Sequence, residues 1–152
     1  MSDITHSLGI QAPIAEVYKA LSTIDGLSRW WTSDTTGESV PGKEIKFNFL
    51  SLDKVLRGSI TMRVENLEKD KLVKWRCVDG PPEWIGHEFF FELSYKGTET
   101  MVKFSHRGWR EVVDFTYHCS MKWATYLLSL RDLVTTGKGR PNPHDLKIEA
   151  DD

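Results

Sequence analysis

The sequence predicts an α+β fold: a curved antiparallel sheet of about six or seven strands wrapped around a long C-terminal helix, with two short helices after strand 1. Three observations predict it. Segments that alternate apolar and polar residues fill most of the chain up to Trp109. A helical stripe follows, with Trp123, Leu127, Leu130, Leu133 and Val134 on one face of WATYLLSLRDLVTTGKGRP (123–141). Gly137 and Gly139, flanked by Lys138 and Arg140, then stop the helix, and Pro141 prevents its restart. A sheet that curls around one helix encloses either a packed core or a cavity.

The elements follow in order. Ile4, His6, Leu8 and Ile10 alternate with polar residues and read as a half-buried strand. Pro13 opens a helix whose stripe is Ile14, Val17, Tyr18 and Leu21. Asp25-Gly26 interrupts it, and LSRWWT (27–32) is a second short helix or turn that tucks tryptophan against the sheet. Residues 33–43 are polar, contain Gly37, Pro41 and Gly42, and read as loop.

Five strands follow in series. Ile45, Phe47 and Phe49 mark the first; Gly58, Ile60, Met62 and Val64 mark the second. A charged turn at Asn66 to Lys71 leads to LVKWRCV (72–78), and Gly80-Pro81-Pro82 breaks the chain. His87, Phe89, Phe91 and Leu93 form one inner face, and Thr100, Val102, Phe104 and His106 the next, across a hairpin turn at Lys96-Gly97. The last helix begins within 110–116. Residues 1–141 form one domain, and the polar, acidic tail 142–152 is expected to fray.

Composition excludes several classes. A net charge of −2 offers no footprint for nucleic acid. No apolar run is long enough to span a membrane, and the N-terminus has no basic or apolar leader region. Cys77 and Cys119 lie in different elements with no motif between them, and read as buried thiols of a reducing compartment. A cytoplasmic protein is expected. Six tryptophans, seven phenylalanines and four tyrosines are an unusual stock of rigid, pocket-lining or core-filling side chains.

The inward strand positions and the inner helix face nominate a ligand-binding wall: Phe47, Phe49, Met62, Trp75, Phe89, Phe91, Phe104, Trp109, Phe115, Cys119 and Trp123. Core filling accounts equally well for Phe89 and Phe91. LVKWRCV permits either register, so the face of Trp75 is open. His6, His87, His106 and His118 fall on the same inner side. They either orient the polar end of a ligand or satisfy neighbours within a packed core.

Other chemistry finds little support. Asp114 and His118 stand four apart, but no second compact ligand spacing accompanies them, so no metal site is expected. Glu88 and Glu92 alternate outward, and Glu111 and Asp114 suit the start of a helix. No nucleophile elbow occurs, and Gly-Lys-Gly at 137–139 follows a helix rather than opening one, so it is not a phosphate loop. No catalytic residue and no cofactor is nominated.

The ordered set of motifs resembles the START/polyketide-cyclase superfamily, and within it the bacterial homologues of the activator of the heat-shock-protein-90 ATPase. APIAEVYKAL (12–21), WWT (30–32), Gly42 with Phe47 and Phe49, FFFELSYKGTETMVKFSHRGW (89–109) and WATYLLSLRDLVTTGKGRP (123–141) carry the resemblance. It implies a helix-grip fold, and functions that range over lipid carriers, cyclases and co-chaperone domains. The expected partner is a small apolar or amphipathic molecule, held between sheet and helix with its polar end near His106 or His118. The alternative partner is a chaperone or other protein, met through an exposed patch for which outward-facing Phe90 is the nominee. A cyclase- or hydrolase-like enzyme using a cavity histidine is the second alternative. The protein is expected to be a monomer or homodimer.

Overall fold

A computed structural model describes residues 2–150 and 152. Eleven elements follow the chain. Strand β1 (Ser2–Ile10) precedes helices α1 (Ile14–Ser22) and α2 (Ile24–Trp30). Strands β2 (Asp34–Gly37), β3 (Glu44–Leu50), β4 (Leu56–Glu68) and β5 (Leu72–Asp79) follow. A 3₁₀ turn (Pro82–Trp84), β6 (Glu88–Lys96), β7 (Glu99–Trp109) and α3 (Asp114–Thr136) complete the order. The seven strands form one antiparallel sheet, ordered β1-β7-β6-β5-β4-β3-β2. Sheet and long helix meet the sequence-based expectation. Among the described residues no helix is long and apolar enough to cross a membrane.

Register brings the inner side chains into rows. Trp75 stands opposite Phe89, Phe89 opposite His106, and His106 opposite Ile4. The next row runs Val73, Phe91, Phe104 and His6. Trp75 therefore faces inward and is fully buried, which settles its register. Each such large apolar side chain contributes roughly 2–3 kcal/mol on burial. Trp123, Leu127 and Leu130 of α3 close over these rows.

The expected turn at Asn66 to Lys71 shrinks to residues 69–71, because β4 runs on and pairs Asn66, Leu67 and Glu68 with Lys74, Val73 and Leu72. The structure differs from the sequence reading in three further places. First, the break between α1 and α2 falls at Thr23, not at Asp25-Gly26. Thr23 caps α2 by accepting from the Gly26 amide at 3.0 Å. Gly26 sits inside α2 because a Cβ there would lie 2.6 Å from the Ala20 backbone, so only glycine permits this tight corner. Second, the polar stretch 33–43 contains the edge strand β2, which pairs with β3 through backbone bonds that need no apolar alternation. Third, the start of the tail packs back on the domain. Asn142, Pro143 and Asp145 are buried. Asn142 clamps Leu50, accepting from its amide at 2.7 Å and donating to its carbonyl at 3.1 Å. Side-chain bonding to a distant strand overrides the polarity that reads as disorder.

The stop at the end of α3 is as expected. Gly137 takes a left-handed φ of 87° and its amide donates to the Leu133 carbonyl. Gly97 supplies a positive φ of 66° in the β6–β7 turn.

Candidate functional site

The space between sheet and helix is both packed and hollow. Its deep half is solid aromatic core. Trp31 stacks on Trp75 at 5.8 Å between centroids and 3° between planes, and touches Phe47 at 4.2 Å and Trp123 at 4.9 Å. Phe104 lies 4.5 Å from Trp123 and 5.1 Å from Phe91. Beside this core a cavity of about 1050 Å³ opens, at the upper end of the roughly 300–1,000 Å³ of small-molecule sites.

Its apolar wall is Trp31, Phe49, Ile60, Trp84, Phe115 and Trp123. Two of these are held by local chain geometry. Trp31 follows the end of α2, where its own amide donates to the Leu27 carbonyl. Trp84 ends the 3₁₀ turn that Pro81 and Pro82 initiate, and lies nearly parallel to Trp123 at 6.2 Å. Its indole N–H is buried with no nitrogen or oxygen acceptor in reach.

The polar wall comes from α3 and the tail. His118, Lys122 and Tyr126 recur every four residues along one line of the helix, and all three line the cavity. Opposite them lie Asp145, Lys147, Glu149 and Asp152. Lys122 Nζ donates to Asp145 Oδ2 at 2.5 Å, to the Leu146 carbonyl at 3.0 Å and to Asp152 Oδ2 at 3.1 Å. Tyr126 donates its hydroxyl to the same Asp145 Oδ2 at 3.0 Å. His118 Nδ1 pairs with Glu149. The Asp145 side chain is only 3% exposed. Its burial alone would raise its carboxyl, but the Lys122 and Lys147 ammonium groups hold it below the ordinary carboxylate range. Burial, then the Asp145 charge, pushes the Tyr126 phenol upward, so it stays protonated and donates.

A second polar group lies in the core beneath the cavity. His87 Nδ1 and His106 Nε2 are 2.9 Å apart, and Trp123 Nε1 lies 3.3 Å from His106 Nδ1. An indole can only donate, so His106 accepts at Nδ1, carries its proton on Nε2 and donates to His87. Burial, reinforced by His87, lowers His106 to about 2; burial also lowers His87. Both rings are neutral at physiological pH. Gly108 makes room for the pair, since a Cβ there would meet His87 Cδ2 at 2.8 Å.

Of the nominated residues, the structure brings Phe49, Phe115, His118, Cys119 and Trp123 to the cavity. Phe47, Met62, Trp75, Phe89, Phe91, Phe104 and Trp109 are buried in the packed core instead, because the aromatic rows fill that part of the sheet's inner face. His87 and His106 are paired inside that core. His6 is half-buried and bonds the Ser120 carbonyl at 3.0 Å, so it ties β1 to α3. Of the two imidazoles expected at a ligand's polar end, His118 lines the cavity and His106 does not. Burial raises Cys119 to about 12 and Cys77 to about 11, so neither thiol is poised as a thiolate. Phe90 faces outward but is half-buried under Arg107, whose guanidinium carbon lies 3.9 Å from the ring centroid, so it is no open patch. Among the described residues no three His, Cys, Asp or Glu side chains are grouped to hold a metal ion.

Sequence reasoning missed Trp31, Trp84, Lys122, Tyr126 and the tail. Trp84 sits outside any alternating segment, yet a tryptophan directly after a Pro-Pro break was a usable signal. Nothing local marks Lys122 and Asp145 as partners.

A sheet gripping one long helix, with an aromatic cavity at the helix flank, is the architecture of a helix-grip protein of the ligand-binding or Aha1-like class. The chain belongs to the Activator of Hsp90 ATPase homolog 1-like protein family, whose model matches residues 11–135. It is similar to the solution structure of the Aha1 dimer from Colwellia psychrerythraea, with 41% identity over 91% of this chain and 100% of that one, and a TM-score of 0.82. Protein SSP2350 from Staphylococcus saprophyticus is 17% identical over 91% of this chain and 95% of that one, with a TM-score of 0.71. CalU16 from Micromonospora echinospora is 17% identical over 88% and 74%, with a TM-score of 0.70. The latter two show the fold alone. No curated protein matches the chain in sequence.

Proposed function

We propose that this protein binds a small, largely apolar molecule in the cavity between the sheet mouth, α3 and the tail. The observation that carries the reading is the cavity wall itself. Trp31, Phe49, Trp84, Phe115 and Trp123 present aromatic surface, while His118, Lys122 and Tyr126 gather hydrogen-bonding groups on one side. Apolar walls with a few converging polar groups are what ligand sites require. The neutral, mutually satisfied His87–His106 pair lies in the packed core rather than at the cavity, which favours binding over acid–base catalysis. The two free, buried cysteines support the cytoplasmic reading.

The test is native mass spectrometry of the purified protein before and after organic extraction, followed by ligand titrations read by tryptophan fluorescence. A co-purified species of a few hundred daltons, or saturable quenching by apolar ligands, is the expected result. A bare mass together with no quenching and no thermal shift across an apolar panel overturns the reading.

One observation favours a second reading, as a protein-interaction module. Tyr117, Met121 and Leu128 are 67%, 56% and 41% exposed and recur along the outer face of α3. The Colwellia protein is described as a dimer, and this stripe suits a second copy of the chain. A dimer mass in solution that falls to monomer in Met121→Glu supports it; a monomer at high protein concentration removes it.

A further inference from the structure

The tail satisfies the polar wall of the cavity with carboxylates, and every one of them lies beyond Asn142. Asp145 takes Lys122 and Tyr126, Asp152 takes Lys122, and Glu149 takes His118. The cavity-wall donors His118, Lys122 and Tyr126 belong to α3, where they are fixed one turn apart; Lys147 of the tail itself donates only to the other oxygen, Asp145 Oδ1, at 3.1 Å and would leave with it. Asp145 is the best seated of the acids. Its Oδ2 receives a charge-assisted bond from Lys122 and a hydroxyl bond from Tyr126 at the edge of the aromatic wall, and its side chain is 3% exposed. A carboxylate held by an ammonium and a phenol beside an apolar cavity is the geometry an amphipathic acid would adopt there.

We infer that the cavity's ligand is an amphipathic carboxylic acid, and that Asp145 occupies its headgroup position in the ligand-free protein. This rests on the ligand-binding reading above and names the ligand class. The tail and the ligand are then alternatives. An incoming acid delivers its carboxylate to Lys122 and Tyr126, its apolar chain lies along Trp84 and Trp123, and Asp145 leaves with the segment that follows Asn142. Charge balance explains the selectivity. Exchanging one carboxylate for another leaves Lys122 paired, whereas a neutral or cationic molecule that displaces the tail leaves a half-buried ammonium without its counter-ion. Asn142 stays in place, because its bonds go to Leu50, Trp31 and Ser33 on the other side of the cavity, so it is the point about which the tail releases.

The experiment compares decanoate, decanol and decylamine, below their micellar concentrations, on the full chain at neutral pH. Titrations use wild-type protein, Asp145→Ala, Lys122→Met and Tyr126→Phe. Decanoate is expected to bind Asp145→Ala about ten- to a hundredfold more tightly than wild type, the equivalent of removing one competing charge-assisted bond. Lys122→Met is expected to erase the preference for acid over alcohol, and Tyr126→Phe to reduce it. A readout on wild-type protein keeps the idea falsifiable should a variant fail to fold. Decanoate, but not decanol, is expected to speed amide exchange in residues 146–150. If decanoate and decanol bind equally in wild type and Asp145→Ala, the inference is overturned while the cavity reading stands. If none of the three binds, both fall.

Discussion

Trp123 donates its indole N–H to Nδ1 of His106, and this bond orients a buried imidazole pair through the core. Because His106 must stay neutral to accept it, folding and protonation compete. With a folded-state value lowered to about 2, against about 6.5 in the unfolded chain, the unfolded state binds a proton that the folded state refuses. Stability therefore falls as pH drops below about 6.5, with a slope approaching about 1.4 kcal/mol per pH unit from this one group. His87, also lowered by burial, adds in the same direction. His106→Gln retains an acceptor for Trp123 and removes the titration. Urea denaturation between pH 7 and 4.5 is expected to show a shallower decline in the variant; parallel curves would refute the account.

Two tryptophans test what a buried N–H is worth. Trp30 donates to the Ala20 carbonyl at 2.9 Å and is fully buried. Trp84 is 6% exposed, and its N–H has no nitrogen or oxygen acceptor. Trp30→Phe removes a satisfied bond and strands the corner between α1 and α2. Trp84→Phe removes a donor already paying a desolvation cost. Trp30→Phe is expected to destabilise by about 1–2 kcal/mol more than Trp84→Phe in chemical denaturation. Equal losses would show that the two indoles differ only in packing.

Most of the fold was legible in the sequence because it is written in local periodicity. Alternation marked β1, β3, β4, β6 and β7, LVKWRCV marked β5 with its register open, and the stripe Trp123, Leu127, Leu130 marked α3 with its glycine stop. Strand β2 was not legible, since an edge strand of DTTG has no inner apolar face to betray it. The site was half legible. Phe49, Phe115 and Trp123 follow from register and helix phase, but alternation says only that a side chain points inward. It does not say whether the interior there is full or hollow, so Phe89, Phe91 and Phe104 looked the same as Phe49. Lys122 and Asp145 meet across 23 residues, through a chain reversal whose geometry depends on Gly139 and Asn142.

That reversal supplies a further prediction. A Cβ on Gly139 would lie 2.4 Å from the Arg29 carbonyl oxygen and 3.0 Å from Ser129. Ser129 in turn donates to the Trp30 carbonyl at 2.9 Å and accepts from the Arg140 amide at 2.6 Å. The chain is pinched there between α2 and α3. Gly137 faces open space and needs only its left-handed φ. Gly139→Ala is expected to cost about 3 kcal/mol through overpacking, and Gly137→Ala about 1 kcal/mol through backbone strain. Thermal or chemical denaturation gives the order directly, and the reverse order would mean that the pinch relaxes freely.

The last prediction concerns the tail at acid pH. Asp145 faces Lys122, Tyr126 and Lys147, with Asp152 sharing Lys122. Its folded-state value lies below its ordinary one, so its contribution is fully present above the unfolded value of about 3.9. It is lost as pH falls through the lower, folded-state value. Protonation removes the charge that Lys122 needs, and the tail, joined mainly through polar contacts beyond Pro143, opens locally before the core unfolds. Protection factors of the amides in residues 146–150 are therefore expected to fall below about pH 4, while those of Leu127 and Leu130 hold. Asp145→Asn is expected to produce the same local opening at neutral pH. Unchanged tail protection in that variant would mean that Asp152 and Glu149 suffice to hold the tail.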